Sequence, residues 1–407
     1  MIDFILLALV ILILLVIKSH YAIVIAIYLA YLIIYNSIFI SCSDALANAF
    51  SIAIPAICLI CSILVCNREH TLYHPKLFFI SMVLFVFCAI NAFCSTDALS
   101  MFMYMEASMI PMMLMMLSEH KCKNVNIVYQ YLIYTFISAC LLLVAIIQIS
   151  IDSKSYSFVP TREWCYWLIA LASAIKLPMF PFHYWVPTVH GKSSIICSIM
   201  LASVCLKYSS LIIVRFLLPL PSFTQYIILS GILSAVCTQY KYSQYKQSNL
   251  KIVFAYSSII HMNLYLFILL ASPYSYWFIY SLIAHSITMV LAFMATDIEK
   301  GRMLISNKSW ILVLISSLCL TSIPGSVGFL AEICALHNSN IVNPTMTVLL
   351  IILIIISSCC IMNLIFKRKE VVVNYHLHRL KTTQIVVIIL IITLIVIGGV
   401  VPFFKFP

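Results

Sequence analysis

The sequence predicts an all-α polytopic membrane protein of about fourteen transmembrane helices. Three observations carry that reading. Hydrophobic residues make up 64% of the 407-residue chain and charged residues only 9%, whereas soluble domains run roughly half apolar and a quarter charged. The apolar residues come in long runs, many near the roughly twenty residues that a helix needs to cross the hydrocarbon core. The polar residues fall in short connections between those runs, too few to cover the outside of a soluble fold. Long apolar runs without alternation are helices in lipid, so strands are excluded.

In chain order the expected spans are Ile2–Ile17, Tyr21–Ser41, Leu46–Cys66, Leu77–Cys94, Ala98–Leu117, Ile127–Ile151 and Trp164–Trp185. They continue at Ser193–Leu218, Phe223–Val236, Asn249–Ala271, Tyr276–Ala295, Trp310–Leu336, Met346–Phe366 and Thr383–Val401. The first follows Met1–Ile2–Asp3 directly and lacks the basic start and small-residue cleavage site of a signal peptide, so it reads as a retained span. Connections such as Asn67–Lys76, Asp152–Glu163 and Thr296–Lys308 are short enough to make neighbouring spans antiparallel.

Two spans contain their own interruption. Trp164–Trp185 carries Pro178 and Pro181 just after Lys176, and Trp310–Leu336 carries Pro324–Gly325 and Gly328 ahead of Glu332. Proline removes a backbone donor and clashes with the preceding turn, so each span is expected to break or kink there. Broken backbone at membrane depth survives only where it is buried in protein or lines a wet cavity. These are the seventh and twelfth spans, five apart, which fits two inverted five-helix repeats with broken helices. The expected organisation is N-terminal helices over 1–76, a first repeat over 77–218, a second over 223–366 and a C-terminal helix over 367–407.

The charge balance, 23 Lys and Arg against 12 Asp and Glu, forms no single patch. The cations lie in connections, as at Lys121 and Lys123, Lys300 with Arg302, and Lys367–Arg368–Lys369, which suits topology-setting charges and excludes a nucleic-acid stripe. The sixteen cysteines sit mostly inside apolar runs, as at Cys58 and Cys61, and read as small buried thiols. His183 and His190 lack Cys, Asp or Glu at ligand spacing, so no metal site is expected. No P-loop, dinucleotide fingerprint or haem-attachment motif occurs, and no cofactor is expected on this chain.

Ionisable residues inside spans cost free energy and mark function by default. Six qualify: Glu106, Lys176 before the first break, Lys207, His261 and His285 in consecutive spans, and Glu332 after the second break. Arg215 lies near a span end, where its long stem can snorkel to the headgroups. Each histidine alone could be a hydrogen-bonded core residue, or the pair could face a haem. Together with two acids and two lysines they read as a proton relay. Glu106 and Lys176 are expected on facing helices within ion-pair or water-bridged reach. Lys207 is the expected central carrier, linked through His261 and His285 to a Glu332 that points into the bundle.

At this point the residues become specific. Ala174–Ile175–Lys176–Leu177–Pro178–Met179–Phe180–Pro181–Phe182–His183–Tyr184–Trp185–Val186–Pro187 resembles the broken seventh helix of the antiporter-like subunits of respiratory complex I. Ala255 to Leu264, around His261, and Ile323 to Glu332, around Pro324–Gly325, resemble two further motifs of that family. Within it, Glu106–Ala107–Ser108–Met109–Ile110–Pro111, the position of His190 and an acid at Glu332 favour the subunit 4 group. Three departures stand out. Thr188 replaces an Asp or Lys, Gly191–Lys192–Ser193–Ser194 replaces a Glu-Ala-Pro stretch, and Ser209–Ser210 replaces a Gly-Gly pair. They put in doubt a helix break near residue 193 and the packing beside Lys207.

The resemblance implies a proton-translocating subunit of NADH:ubiquinone oxidoreductase in the mitochondrial inner membrane. Its six ionisable residues would form the proton path, driven by NADH oxidation and quinone reduction elsewhere. FMN, iron–sulfur clusters and ubiquinone would belong to the complex rather than to this chain. The implied partners are the other membrane-arm subunits, especially the antiporter-like chains 2 and 5, and membrane lipids. A cation/proton antiporter subunit of the Mrp type, or a structural membrane subunit, is the alternative.

Overall fold

The computed structural model describes residues 45–66, 74–118, 125–217, 250–271, 276–298, 307–342 and 391–396, with single positions and pairs elsewhere. In chain order the helices are α1 (Ala45–Cys66), α2 (Pro75–Cys94), α3 (Ala98–Ala107), α4 (Met109–Leu117), α5 (Val125–Ser153) and α6 (Glu163–Lys176). There follow a 3-10 turn (Phe182–Tyr184), α7 (Trp185–Lys192), α8 (Ile195–Met200), a π turn (Leu201–Cys205), α9 (Lys207–Ile212) and a second π turn (Ile213–Leu217). The remainder are α10 (Leu250–Ala271), α11 (Tyr276–Ile298), α12 (Asn307–Leu320) and α13 (Val327–Val342). No strand occurs among the described residues.

Five stretches among them are long and apolar enough to cross a membrane: Pro75–Cys94, Ala98–Leu117, Val125–Ser153, Ile195–Phe216 and Trp277–Thr296. Ala47–Cys58 and Leu250–Leu266 are shorter apolar helices. The chain is therefore an all-helical, multi-pass membrane protein. The expected spans Ile2–Ile17, Tyr21–Ser41, Phe223–Val236, Met346–Phe366 and Thr383–Val401 lie, apart from residues 391–396 and single positions and pairs, outside the described residues.

The chain forms two compact units. The first, over residues 1–176 and 192–217, packs α5 on α6, α2 on α1, α3 and α4, and α9 on α6. Phe50 stacks on Phe93 at 4.6 Å between α1 and α2, and the Ser138 hydroxyl donates to the Ala172 carbonyl at 2.8 Å between α5 and α6. The second, over residues 177–191 and 218–407, packs α10, α11 and α13 against one another, with α12 on α11. Serines inside these helices satisfy themselves locally. Ser203, Ser258 and Ser286, for example, donate to carbonyls three or four residues back, so a polar side chain costs little in an apolar run.

Local sequence explains each interruption. The Ala98–Leu117 span, expected to run unbroken, divides at Ser108. Pro111 has no N–H for the Ala107 carbonyl, and the Ser108 hydroxyl donates back to the Met105 carbonyl at 2.6 Å. The first proline-bearing span stops at Lys176, and Pro178 and Pro181 separate it from α7. The chain also breaks at Ser193–Ser194 without the Glu-Ala-Pro stretch. Ser194 caps α8, accepting from the Cys197 N–H at 3.0 Å.

The second proline-bearing span ends α12 in a Schellman motif. The Ser322 N–H donates to Cys319 at 3.3 Å and the Ile323 N–H to Leu318 at 3.4 Å. Ser322 itself adopts the left-handed conformation, with φ +55°. Pro324 and Gly325 (φ +93°) follow, and Ser326 caps α13 through its hydroxyl at 3.4 Å from the Phe329 nitrogen.

Candidate functional site

In the first unit, α6 ends on Lys176 and α3 carries Glu106 one residue from its end. The Lys176 ammonium donates to Glu106 Oε1 at 2.6 Å, with the two side chains 6% and 15% exposed. Within electrostatic reach of Glu106 lies Tyr131 of α5, whose hydroxyl is hydrogen-bonded with the Cys205 thiol. Cys205 in turn lies within electrostatic reach of both Lys176 and Lys207.

Lys207 is wholly buried, and its ammonium donates to the Ala202 carbonyl at 2.5 Å. The π turn makes that possible. The Leu206 N–H bonds to Leu201, five residues back, so the carbonyl an α-helix would offer it is open to the lysine. Ser209 and Ser210, standing where the resembled subunits have Gly-Gly, turn their hydroxyls onto the Leu206 and Lys207 carbonyls.

Arg215 corrects the snorkelling expectation. Its guanidinium turns inward to the Ser95 and Phe93 carbonyls at the end of α2, the latter at 3.0 Å, and stacks over the Phe158 ring at 4.8 Å. Carbonyls left over at a helix C-terminus attract a cation, so the arginine caps α2 rather than reaching for headgroups.

In the second unit, His261 of α10 and His285 of α11 face each other with ring centroids 6.0 Å apart. Tyr265 completes a near-equilateral triangle with them, 6.1 Å from His261 and 5.8 Å from His285. Nδ1 of His261 lies 2.7 Å from the Ser257 carbonyl, the position of a donor, and its ring is within reach of the Leu320 carbonyl at the end of α12. Glu332 of α13 points inward. It is 6% exposed, accepts from the Ser322 hydroxyl at 2.6 Å and lies electrostatically close to Tyr265. His190 stacks on Phe293 at 5.0 Å, and His183 lies against Phe180 at 5.9 Å.

The six sequence-predicted residues thus fall three to each unit: Glu106, Lys176 and Lys207 in one, His261, His285 and Glu332 in the other. Each set has a broken helix in or beside it. Sequence reasoning missed Tyr131, Cys205, Tyr265 and Ser322. A tyrosine every few residues in an apolar run reads as bulk, and only its hydroxyl's neighbours reveal more. Ser322 carried a legible signal, one residue from the end of a turn whose proline was already recognised.

This fold and these clusters define a multi-pass membrane protein built around buried ionisable groups. Residues 95–360, more than half of the chain, match the family "NADH:quinone oxidoreductase/Mrp antiporter, TM", and the chain belongs to that family, as an antiporter-like subunit of the complex I type. It is 27% identical over 256 residues to NADH-ubiquinone oxidoreductase chain 4 of Acanthamoeba castellanii, covering 58% of this chain and 50% of that protein. It is 28% identical over 206 residues to the chain 4 of Arabidopsis thaliana, covering 47% and 41%. The match thus spans half or less of these curated relatives' length. In fold it is similar to a chain of respiratory complex I from Thermus thermophilus with bound NADH. The TM-score is 0.82 and the identity 18%, over 98% of this chain and 95% of the other.

Proposed function

We propose that the chain is a proton-translocating core subunit of a mitochondrial-type NADH:ubiquinone oxidoreductase, of the subunit 4 group. The observation that carries the reading is the Glu106–Lys176 ion pair at 2.6 Å, set at the end of a broken helix in the same unit as a wholly buried Lys207. Separating the pair changes the field felt by the next buried amine. His261, His285 and Glu332 supply the remaining stations toward a bulk phase. The full reading has about fourteen transmembrane helices in two inverted five-helix repeats, and the mitochondrial inner membrane as its location. Its neighbours are the other membrane-arm subunits, especially chains 2 and 5, with lipids around them. FMN, iron–sulfur clusters and ubiquinone act elsewhere in the complex, and none is held by this chain.

Replacing Lys207 by Met keeps the stem and removes the titrating group. The complex should assemble and oxidise NADH while protons moved per electron fall. An unchanged ratio overturns the assignment. The family description also covers Mrp antiporters, so a cation/proton antiporter is the second reading. Copurification with flavin and iron–sulfur proteins favours the first, and their consistent absence the second.

A further inference from the structure

The geometry points to Ser322 as the residue that positions Glu332, latching the two halves of the second broken helix across its gap. This inference rests on the proton-path reading of Glu332 and extends it to a residue outside the ionisable set.

Four observations meet at this serine. Ser322 stands at the left-handed position that closes the Schellman motif, with φ +55°, where glycine or asparagine is the comfortable choice. A serine there is strained, and strain of this kind persists where surrounding contacts over-determine it. The contact in question is its hydroxyl bond to Glu332 Oε1 at 2.6 Å, from a residue that ends α12 to one inside α13. Both residues are only 6% exposed, so water does not readily substitute for either partner. Gly328 leaves the room. A Cβ built there would lie 2.9 Å from the Ser322 hydroxyl, so a side chain at position 328 would push the serine off its carboxylate.

The consequence is mechanical as well as electrostatic. The left-handed backbone aims the Ser322 side chain back over the gap left by Pro324 and Gly325, toward the first turns of α13. A hydroxyl at 2.6 Å fixes which carboxylate oxygen is engaged, in an acid that lies electrostatically close to Tyr265. Protonation of the engaged oxygen, or a swing of α13, must therefore break or turn this bond. Ser322 makes no transfer itself and is a positioning residue.

The test uses the assembled complex in proteoliposomes with Ser322→Gly, Ser322→Asn and Glu332→Gln. Glycine and asparagine both accept the left-handed backbone, so helix ends and assembly are preserved, while only asparagine restores a donor. With Ser322→Gly the initial rate of proton movement should fall about tenfold, as for loss of one charge-assisted hydrogen bond. With Ser322→Asn much of it should return. The infrared carboxyl band that disappears in Glu332→Gln should shift in Ser322→Gly and move back in Ser322→Asn. A Ser322→Gly complex with wild-type rate and an unmoved band overturns the positioning role while leaving the proton path standing. Undiminished pumping in Glu332→Gln instead overturns the path at this acid, and with it the role of Ser322, even if the band still registers the bond.

Discussion

A buried ion pair is held together less by its own attraction than by the cost of losing half of it. Moving a lone charge to the bilayer centre costs about 2.5–3.5 kcal/mol on insertion scales, and deleting one partner of a buried pair costs about 3–5 kcal/mol. Glu106 and Lys176 are in that position, 2.6 Å apart and 15% and 6% exposed. Glu106→Gln should therefore destabilise the first unit by about 3 kcal/mol or more, and Lys176→Met by a comparable amount. The double substitution should cost much less than the sum, because no uncompensated charge remains. Thermal unfolding of the solubilised complex, read as a double-mutant cycle, measures the coupling, and additive losses would contradict it. On the proposed transport role, proton movement should stay low in all three variants, a readout distinct from the pair's effect on folding. Arg215 illustrates what such residue-scale reasoning cannot reach from sequence. Its partners are the carbonyls of Phe93 and Ser95, about 120 positions away, and a backbone oxygen carries no residue-type signal.

At the scale of elements, backbone chemistry decided what could be foreseen. Pro178, Pro181 and Pro324 lack a donor wherever they stand, so the ends of α6 and α12 were legible. Pro111 obeys the same rule and splits Ala98–Leu117, although that span reads as continuous by hydropathy alone. The π turns at Leu201–Cys205 and Ile213–Leu217 had no such marker. A shift from four- to five-residue hydrogen bonds leaves the side-chain pattern almost unchanged, and the lysine–carbonyl bond it permits was invisible. Close helix contact has a clearer signature. A Cβ on Gly191 of α7 would meet Ile252 of α10 at 2.7 Å from Cγ1 and 3.1 Å from Cδ1. Alanine is a better helix former than glycine by about 1 kcal/mol, but overpacking costs about 1–3 kcal/mol, so the clash wins. Gly191→Ala should lower the melting temperature of the solubilised complex. In an Ile252→Ala background, which removes the obstructing atoms, the same change should be neutral or stabilising. A loss of equal size in both backgrounds would mean that α7 and α10 do not set the contact.

For the whole molecule, the proposed transport role raises the question of which ion the buried groups would move. A sodium or potassium ion stripped of water needs several oxygen ligands with uncompensated negative charge. Among the described residues, Glu106 and Glu332 are the carboxylates set within the helical bundles. Glu106 already faces an ammonium at 2.6 Å, which competes with any cation for the same oxygen, and Glu332 is engaged by the Ser322 hydroxyl. Their neighbours Lys207, His261 and His285 carry only nitrogen donors and offer a metal cation repulsion or a weak single ligand. If the chain transports an ion as proposed, this arrangement suits protons better than alkali cations, although the family description also names the Mrp antiporter. The intact complex in proteoliposomes should therefore acidify or alkalinise the lumen when NADH and quinone are supplied. With electron transfer blocked, an imposed sodium gradient across the same vesicles should produce no pH change beyond that of protein-free liposomes. A sodium-driven pH change that persists with electron transfer blocked, and that is lost in Glu106→Gln, would establish cation exchange through this site and displace the redox-driven reading.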